Sequence, residues 1–467
     1  MGQIMLFKKS RLKTVILGIC LISIGCQEKS NSKTRIKLIT LDPGHFHAAL
    51  IQKSMYPEID PEVSIYAPEG QDLELYLQKI EAYNTREEKP TKWISKINSE
   101  PDYLKKMIAE KNGNVIMLSG NNQKKTDYIL TAIENGFNVY SDKPMVISPE
   151  EYPTLKKAFK LAQEKNLVIY DIMTERSEIT TELQKELAHN SEVFGKLILG
   201  SEEEPAITKE SVHHFFKYVS GQPLIRSSWF FDTKQQGEGI ADVTSHLVDL
   251  TFWECFPNEA INLEDIQLDH AKRWPTIISK ESFEKVTQKK EYPSYLKNEI
   301  RNDSLEVYAN GSIHYRLKGH YAKVSVKWSY QAEKGGGDTH YSIMRGTKAE
   351  LIIEQGVEQK FIPTLYVFPV KNFNEKLFLK SIDDLQTKYP DISVLKENER
   401  FEIIIPEDLR EGHEAHFGEV TKRFINYFKL GKVPEWETTN MLTKYYLTTS
   451  ALEMARKKSR LLFIESD

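Results

Sequence analysis

Residues 37–50 read KLITLDPGHFHAAL. An apolar run, "LITL", meets the turn "DPG" and then a helix start. That order is the shape of the first loop of a dinucleotide-binding fold. The fingerprint of such a loop is G-x-G-x-x-G, whose glycines allow a tight turn and a close approach of backbone to pyrophosphate. Aligned on Gly44 as the middle glycine, the first becomes Asp42 and the third His47. The stretch is either an altered nucleotide site or an ordinary strand, turn and helix, and the rest of the chain decides.

Residues 35–174 alternate strand and helix patterns. "VSIYA", "NVIMLS", "NVYS" and "LVIYDI" read as strands. "DLELYLQKIEAY", "PDYLKKMIAEKN", "KKTDYILTAIENG" and "PEEYPTLKKAFKLAQEKN" read as helices between them. This alternation predicts a parallel, doubly wound (Rossmann) sheet of α/β class covered on both faces. Residues 175–467 change character. "KLILGSEE", "AKVSVKWSYQA" and "HYSIMRGTKAELIIEQG" show period-two alternation without intervening helices, which predicts an open, mostly antiparallel sheet in an α+β domain. Charged stretches of irregular period at 258–304 and 371–405 read as insertions, and the chain closes with two helical patterns.

The chain has 467 residues and a net charge of −4, which argues against a nucleic-acid partner. Before Cys26, the basic residues Lys8, Lys9, Arg11 and Lys13 and the short apolar run "TVILGICLISIG" have the form of an export signal. Gly25-Cys26 is similar to a lipoprotein cleavage site, although Ser23 stands where Leu is usual. Residues 1–26 are therefore expected to be a lipoprotein signal peptide with Cys26 acylated, and 27–34 a flexible linker. A plain signal peptide cut elsewhere is the alternative. The expected location is exported, periplasmic or at the cell surface, with a lipid anchor as the sole membrane contact.

Two stretches carry chemistry. In "NVYSDKPM" (138–145) a strand ends and Asp142, Lys143 and Pro144 follow at once. Ligands of open parallel sheets sit outside the strands' carboxyl ends, so Lys143 is placed to meet a substrate. In "QGEGIADVTSHLVDLTFW" (236–253), Asp242, Ser245, His246 and Asp249 stand at i, i+3, i+4 and i+7, one face of a helix. A histidine beside carboxylates suits general acid/base work near neutral pH. "HHFFK" (213–217) and "RSSWFFD" (226–232) offer aromatic faces and polar groups to a sugar ring. His213, Lys217, Arg226, Trp229 and Asp232 are the candidate substrate readers, with core packing the alternative for the aromatics. His45-x-His47, His213-His214 and His413-x-x-His416 lack zincin spacing and there are no cysteine pairs, so no metal is expected.

These motifs, in this order, resemble the glucose–fructose oxidoreductase / inositol dehydrogenase (Gfo/Idh/MocA) family over roughly residues 35–460. The family's E-K-P reads Asp142-Lys143-Pro144 here. Its G-G-x-x-x-D-x-G-x-H-x-x-D is read in Gly239, Asp242, His246 and Asp249, with Thr244 in place of the glycine before Ser245. "GKL" (195–197) and "RGTKAEL" (345–351) are similar to the start and a late turn of its substrate domain. The leader, "DPGHFHAAL" and the 229–250 segment look more narrowly like exported oxidoreductase-like proteins of Bacteroidetes.

The resemblance implies a nicotinamide cofactor, NAD(H) held tightly and more readily than NADP(H). It implies cofactor contacts from Gly44, His45, Phe46, His47, Glu69 (or Asp72), Ser119, Asn121, Asn122, Asp142 and Lys143. It implies His246 as acid/base, Lys143 orienting the substrate hydroxyl, Asp242 on a neighbouring hydroxyl, and Arg176 near the cleft. The implied activity is oxidation or reduction of a sugar, polyol or glycoside hydroxyl. Alternatives are an NAD-dependent glycosidase of the same family and a non-catalytic exported sugar-binding lipoprotein. The resemblance also implies a terminal helix packed back on the first domain and a homo-oligomer surface on the second sheet.

Overall fold

The computed structural model describes residues 35–219, 222–334 and 336–464. The leader, Cys26 and the linker lie outside them. Six strands, β1 (Leu38–Leu41), β2 (Glu62–Tyr66), β3 (Ile94–Asn98), β4 (Val115–Leu118), β5 (Asn138–Asp142) and β6 (Ile169–Ile172), form one sheet in the order β3-β2-β1-β4-β5-β6. Every pair is parallel. The order reverses between β1 and β4, and that crevice is where a doubly wound sheet receives its ligand. The helices α1 (Gln71–Thr85), α2 (Tyr103–Glu110), α3 (Lys125–Glu134) and α4 (Tyr152–Lys165) supply or accompany the crossovers. β3 escapes an apolar-run reading because it is an edge strand whose residues are exposed or half-buried.

One element differs where it matters. The expected helix after β1 is a 3-10 helix, Phe46–Gln52, preceded by His45 in extended backbone. Side chains two residues apart on an α-helix face different ways. Here His45 and His47 both reach the Asp142 carboxylate, because His45 lies before the first turn.

After α5 (Ile179–Ala188) comes β7 (Ile207–Phe216), then the small hairpin β8 (Tyr218–Val219) and β9 (Gln222–Pro223), and then α6 (Thr244–Cys255). The second sheet adds β10 (Ile266–Ile278), β11 (Ile300–Arg301), β12 (Ser304–Leu317), β13 (His320–Gln331), β14 (Thr339–Arg345), β15 (Ala349–Glu354), β16 (Thr364–Pro369), β17 (Ser393–Glu397) and β18 (Arg400–Ile404). Its main path is β10-β12-β13-β7-β14-β15-β16-β18-β17, antiparallel except for β13 on β7. The sheet is thus mixed, mostly antiparallel. The stretches read as insertions are built into it: the first brings edge strand β10 and α7 (Lys280–Thr287), the second α8 (Glu375–Leu385), β17 and β18. "KLILGSEE" forms isolated bridges at Leu197 and Gly200, not a strand.

The chain ends in α9 (His413–Leu430) and α10 (Glu435–Ile464). Phe417, Val420 and Phe424 of α9 join the core of the first sheet, and Phe424 stacks on Tyr140 at 4.5 Å. Each such phenylalanine contributes about 1.5–3 kcal/mol of apolar burial. α10 supplies Lys444, buried between Asp171 of β6 (2.7 Å) and Asp249 of α6 (2.9 Å). Arg176 adds a two-pronged pair to Asp249 (2.6 and 2.7 Å) and one bond to Glu437 (2.7 Å). These side chains are at most 3 % exposed. The network fixes α6, and with it His246, against the last strand of the parallel sheet.

Candidate active site

Lys143 leaves the end of β5 and donates to Asp242 Oδ1 at 2.6 Å. Asp242 lies one turn before His246, and Gln236 donates to its other oxygen at 2.9 Å. Lys143, Asp242 and His246 are each almost buried, with His246 8 % exposed. The ammonium comes from the parallel-sheet half and the carboxylate from the other half, so the pair exists only where the two halves meet. A lysine so held is a fixed hydrogen-bond donor for a substrate oxygen.

Glu175 is a residue that sequence reading passed over. It follows β6, half-buried, within the electrostatic reach of Lys143, Glu178 and Asp338. Burial, reinforced by Glu178, raises its carboxyl to about 7 despite Lys143. A carboxyl half-protonated at neutral pH beside a lysine is a candidate acid/base. "TERSE" carried no sign of which side chain faces inward. Arg176, expected near the cleft, is instead locked in the network with Asp249 and Glu437.

Around Gly44 the geometry departs from the expected cofactor site. His45 Nδ1 lies 3.2 Å from Asp142 Oδ2, and His47 Nδ1 lies 3.1 and 3.2 Å from the two Asp142 oxygens. Ser119 donates to Asp142 at 2.8 Å. Burial lowers the His45 imidazole to about 3, with His47 adding to the effect. Burial would raise the Asp142 carboxyl, but His47 and His45 hold it well below its usual range. Asp42, unfavourable beside a phosphate, is screened by Tyr128 (2.8 Å) and Lys124 (3.4 Å).

On the β2 side lies a cleft of about 810 Å³, counted to its open mouth and lined by Gly44, His45, Tyr76, Lys79, Arg226 and Trp229 among others. Of the two acids after β2, Asp72 lines this cleft, whereas Glu69 is exposed. Asp72 accepts from Trp229 Nε1 at 2.8 Å and from Ser227 Oγ, and burial raises its carboxyl. This bridge ties the segment at 227–229 across the first loop.

A dinucleotide in the ordinary pose does not fit these groups as they stand. The amides of Gly44 and His45 both donate to the Ser119 carbonyl, at 3.1 and 3.2 Å. A Cβ on Gly44 would stand 2.9 Å from Asp72 Oδ2 and 3.1 Å from the Trp229 ring, so protein fills the approach to the glycine. A Cβ on Gly120 would strike the Asp42 carbonyl, because the loops after β1 and β4 are closed on each other. The seven-residue 3-10 helix brings little macrodipole. On the nicotinamide side, Asn121 and Asn122 bond Gln235 and Gln236 (both 2.7 Å).

The candidate substrate readers divide. Trp229 lines the cleft. Arg226 also reaches it, but its guanidinium donates to the carbonyls of Phe215 and His214 and lies 4.3 Å over Phe230, and burial lowers it to about 10. Asp232 is buried and accepts from Gln235 and the Lys234 amide, a turn role rather than an open one. His213, His214 and Lys217 converge on Asp338 at 3.3, 3.1 and 2.6 Å. Burial opposes ionisation of Asp338, but His213, His214 and Lys217 outweigh it and hold the carboxyl well below its usual range.

The parallel-sheet half and the open-sheet half thus meet at a lysine and an aspartate. The family model described as "Putative oxidoreductase C terminal domain" matches residues 183–456. A "putative oxidoreductase" from Parabacteroides merdae is 52% identical, with TM-score 0.89 over 91% of this chain and 98% of that one. The chain belongs to that family and is an oxidoreductase. Levoglucosan dehydrogenase, solved with NADH and L-sorbose, shares the fold at 12% identity, with TM-score 0.57 over 91% of this chain and 97% of its own. A 3-ketoreductase from Actinomadura kijaniata, solved with NADP, does so at 10% identity, with TM-score 0.53 over 90% of this chain and 98% of its own. A comparison with curated proteins finds no match.

Proposed function

We propose that the chain oxidises or reduces a hydroxyl-bearing carbon of a sugar, polyol or glycoside at the Lys143–Asp242–His246 cluster. The observation that carries this reading is the Lys143–Asp242 contact across the two halves, with His246 four residues on, in the first turn of α6. Lys143 holds the reacting oxygen, Asp242 a neighbouring hydroxyl, and His246 takes or returns the hydroxyl proton. Glu175, within the electrostatic reach of Lys143, is a second candidate acid/base. Trp229 offers a ring face to the sugar.

The carrier proposed is a nicotinamide dinucleotide, as in the levoglucosan dehydrogenase and ketoreductase structures. Asp72 in the cleft supports NAD(H) over NADP(H), since an acid there repels a 2′-phosphate. Its admission requires the Trp229–Asp72 bridge to part. The leader supports export and lipidation at Cys26, and the open face of the larger sheet is the proposed contact between copies. An NAD-dependent glycosidase would use the same residues.

A second reading, a sugar-binding protein that has lost redox chemistry, draws on one observation, the protein-filled approach to Gly44. The test uses the soluble form lacking residues 1–26, denatured so that any bound nucleotide is released and identified by absorbance and mass. Stoichiometric NAD(H) is expected, with turnover abolished in Lys143→Ala and His246→Ala. No released nucleotide, together with no NADH fluorescence change on titration, sinks the redox reading.

A further inference from the structure

His45, His47 and Asp142 each present a ligand atom within 4.8 Å of the others. Two of these residues come from the loop after β1 and the third from the end of β5. We infer that they form a binding site for a first-row divalent metal ion of the zinc class, with a coordination position left open for an oxygen ligand. This inference does not rest on the redox reading.

The donor set is the first argument. Two imidazoles and one carboxylate make up the three protein ligands of many catalytic zinc sites, in which water or substrate takes the remaining position. With both imidazoles neutral the set carries one negative charge. A divalent ion leaves the centre net positive, suited to an oxygen donor.

Geometry is the second. Zinc bonds to nitrogen and oxygen of about 2.0–2.2 Å in a tetrahedron put neighbouring donors about 3.3–3.5 Å apart. The observed nitrogen–oxygen separations are 3.1 and 3.2 Å. These separations lie a few tenths of an ångström short of that spacing, and the two imidazole donors lie within 4.8 Å of each other.

The surroundings are the third. Ser119 donates to Asp142 Oδ2, the Lys125 ammonium donates to the Asp142 carbonyl at 3.0 Å, and Phe417 packs 5.5 Å from the His47 ring. Such outer partners hold metal ligands in place. Among the ion pairs of the described residues, Asp142 meets only His45 and His47. The other two-histidine cluster is different: Lys217 already occupies Asp338. One side of the centre is open, since His45 lines the cleft and keeps 20% of its side chain exposed.

The test begins with tag-free protein lacking residues 1–26, assayed for metals by plasma mass spectrometry. The protein is then stripped with a chelator and titrated with Zn²⁺ and Co²⁺. About one equivalent should bind, Co²⁺ should give the visible bands of a low-coordinate site, and His47→Ala or Asp142→Asn should weaken binding by more than about 100-fold. His270→Ala, on the outer sheet face where His270 stacks on His314, should leave binding unchanged. Thermal unfolding of the stripped proteins checks that each variant is folded. If the variants do not fold, X-ray absorption of the wild-type zinc form decides, and two imidazole ligands are expected. Binding of less than about 0.1 equivalent by wild type, binding that survives loss of both histidines, or a spectrum with fewer than two imidazoles overturns the inference.

Discussion

Replacing Glu175 by glutamine isolates one proton. Its carboxyl stands at about 7 against an ordinary 4.5, raised chiefly by burial and then by Glu178. Because the folded value is the higher one, the native state holds this proton over a window in which the unfolded chain has released it. The group's contribution to stability is therefore fully present below pH 4.5 and is lost as the pH rises through 7. At 1.36 kcal/mol per unit, the loss is about 3 kcal/mol, reduced to about 2 by the partial exposure of the side chain. Glu175→Gln lacks this dependence while keeping the shape. Guanidinium unfolding of both proteins at pH 5 and at pH 8.5 measures it. The variant should gain on wild type by about 2 kcal/mol between the two pH values. Removing the Lys143 charge as well, with Lys143→Met, should push the glutamate higher still and move the window upward. A stability gap between wild type and Glu175→Gln that stays constant within about 0.5 kcal/mol would refute the placement of this carboxyl.

Arg176→Met should cost about 3–5 kcal/mol in denaturant unfolding, because it leaves Asp249 and Glu437 short of a buried cation, and a loss under about 1 kcal/mol would show that the network is not holding α6. Ser227→Ala with Trp229→Ala removes both donors to Asp72. NADH titrated by fluorescence should then bind at least about tenfold more tightly or exchange faster, and unchanged binding and exchange would mean that the bridge is not what closes the groove.

The parallel sheet was legible because strands covered on both faces read as continuous apolar runs, as "LITL" and "VIML" do. β3, half-exposed at the edge, gave no such run. Lys143 was legible through a strand-end argument, whereas the single helix face expected for Asp242, Ser245, His246 and Asp249 is not formed, because α6 starts at Thr244 after Asp242 and Asp249 turns to Arg176 and Lys444. What failed was the direction of side chains on turns. Glu175 and Arg176 are adjacent, and spacing cannot say that the arginine turns into the α6–α10 network while the glutamate keeps company with Lys143. The partners of Arg226 and Asp232 were hidden likewise, since the Phe215 carbonyl, the Lys234 amide and the Gln235 side chain come near only in the folded loop. The three-residue cluster was invisible to motif spacing because its carboxylate is 95 residues from His47.

Asp42 and His47 each depart from the G-x-G-x-x-G fingerprint, and taken singly each looks like damage to a nucleotide site. Their placement argues otherwise. A loop decaying without function would accumulate buried polar groups lacking partners, at about 1–3 kcal/mol each. Here Asp42 is met by Tyr128 and Lys124, and His47 by Asp142. Ser119 completes Asp142, and its carbonyl takes the two amides that a pyrophosphate would have used. His47, Ser119 and Asp142, from the loops and ends of β1, β4 and β5, satisfy one another beside the point where the sheet order reverses. Such mutual satisfaction weighs against a decayed loop, and it means that a dinucleotide enters only once the Trp229–Asp72 bridge has parted.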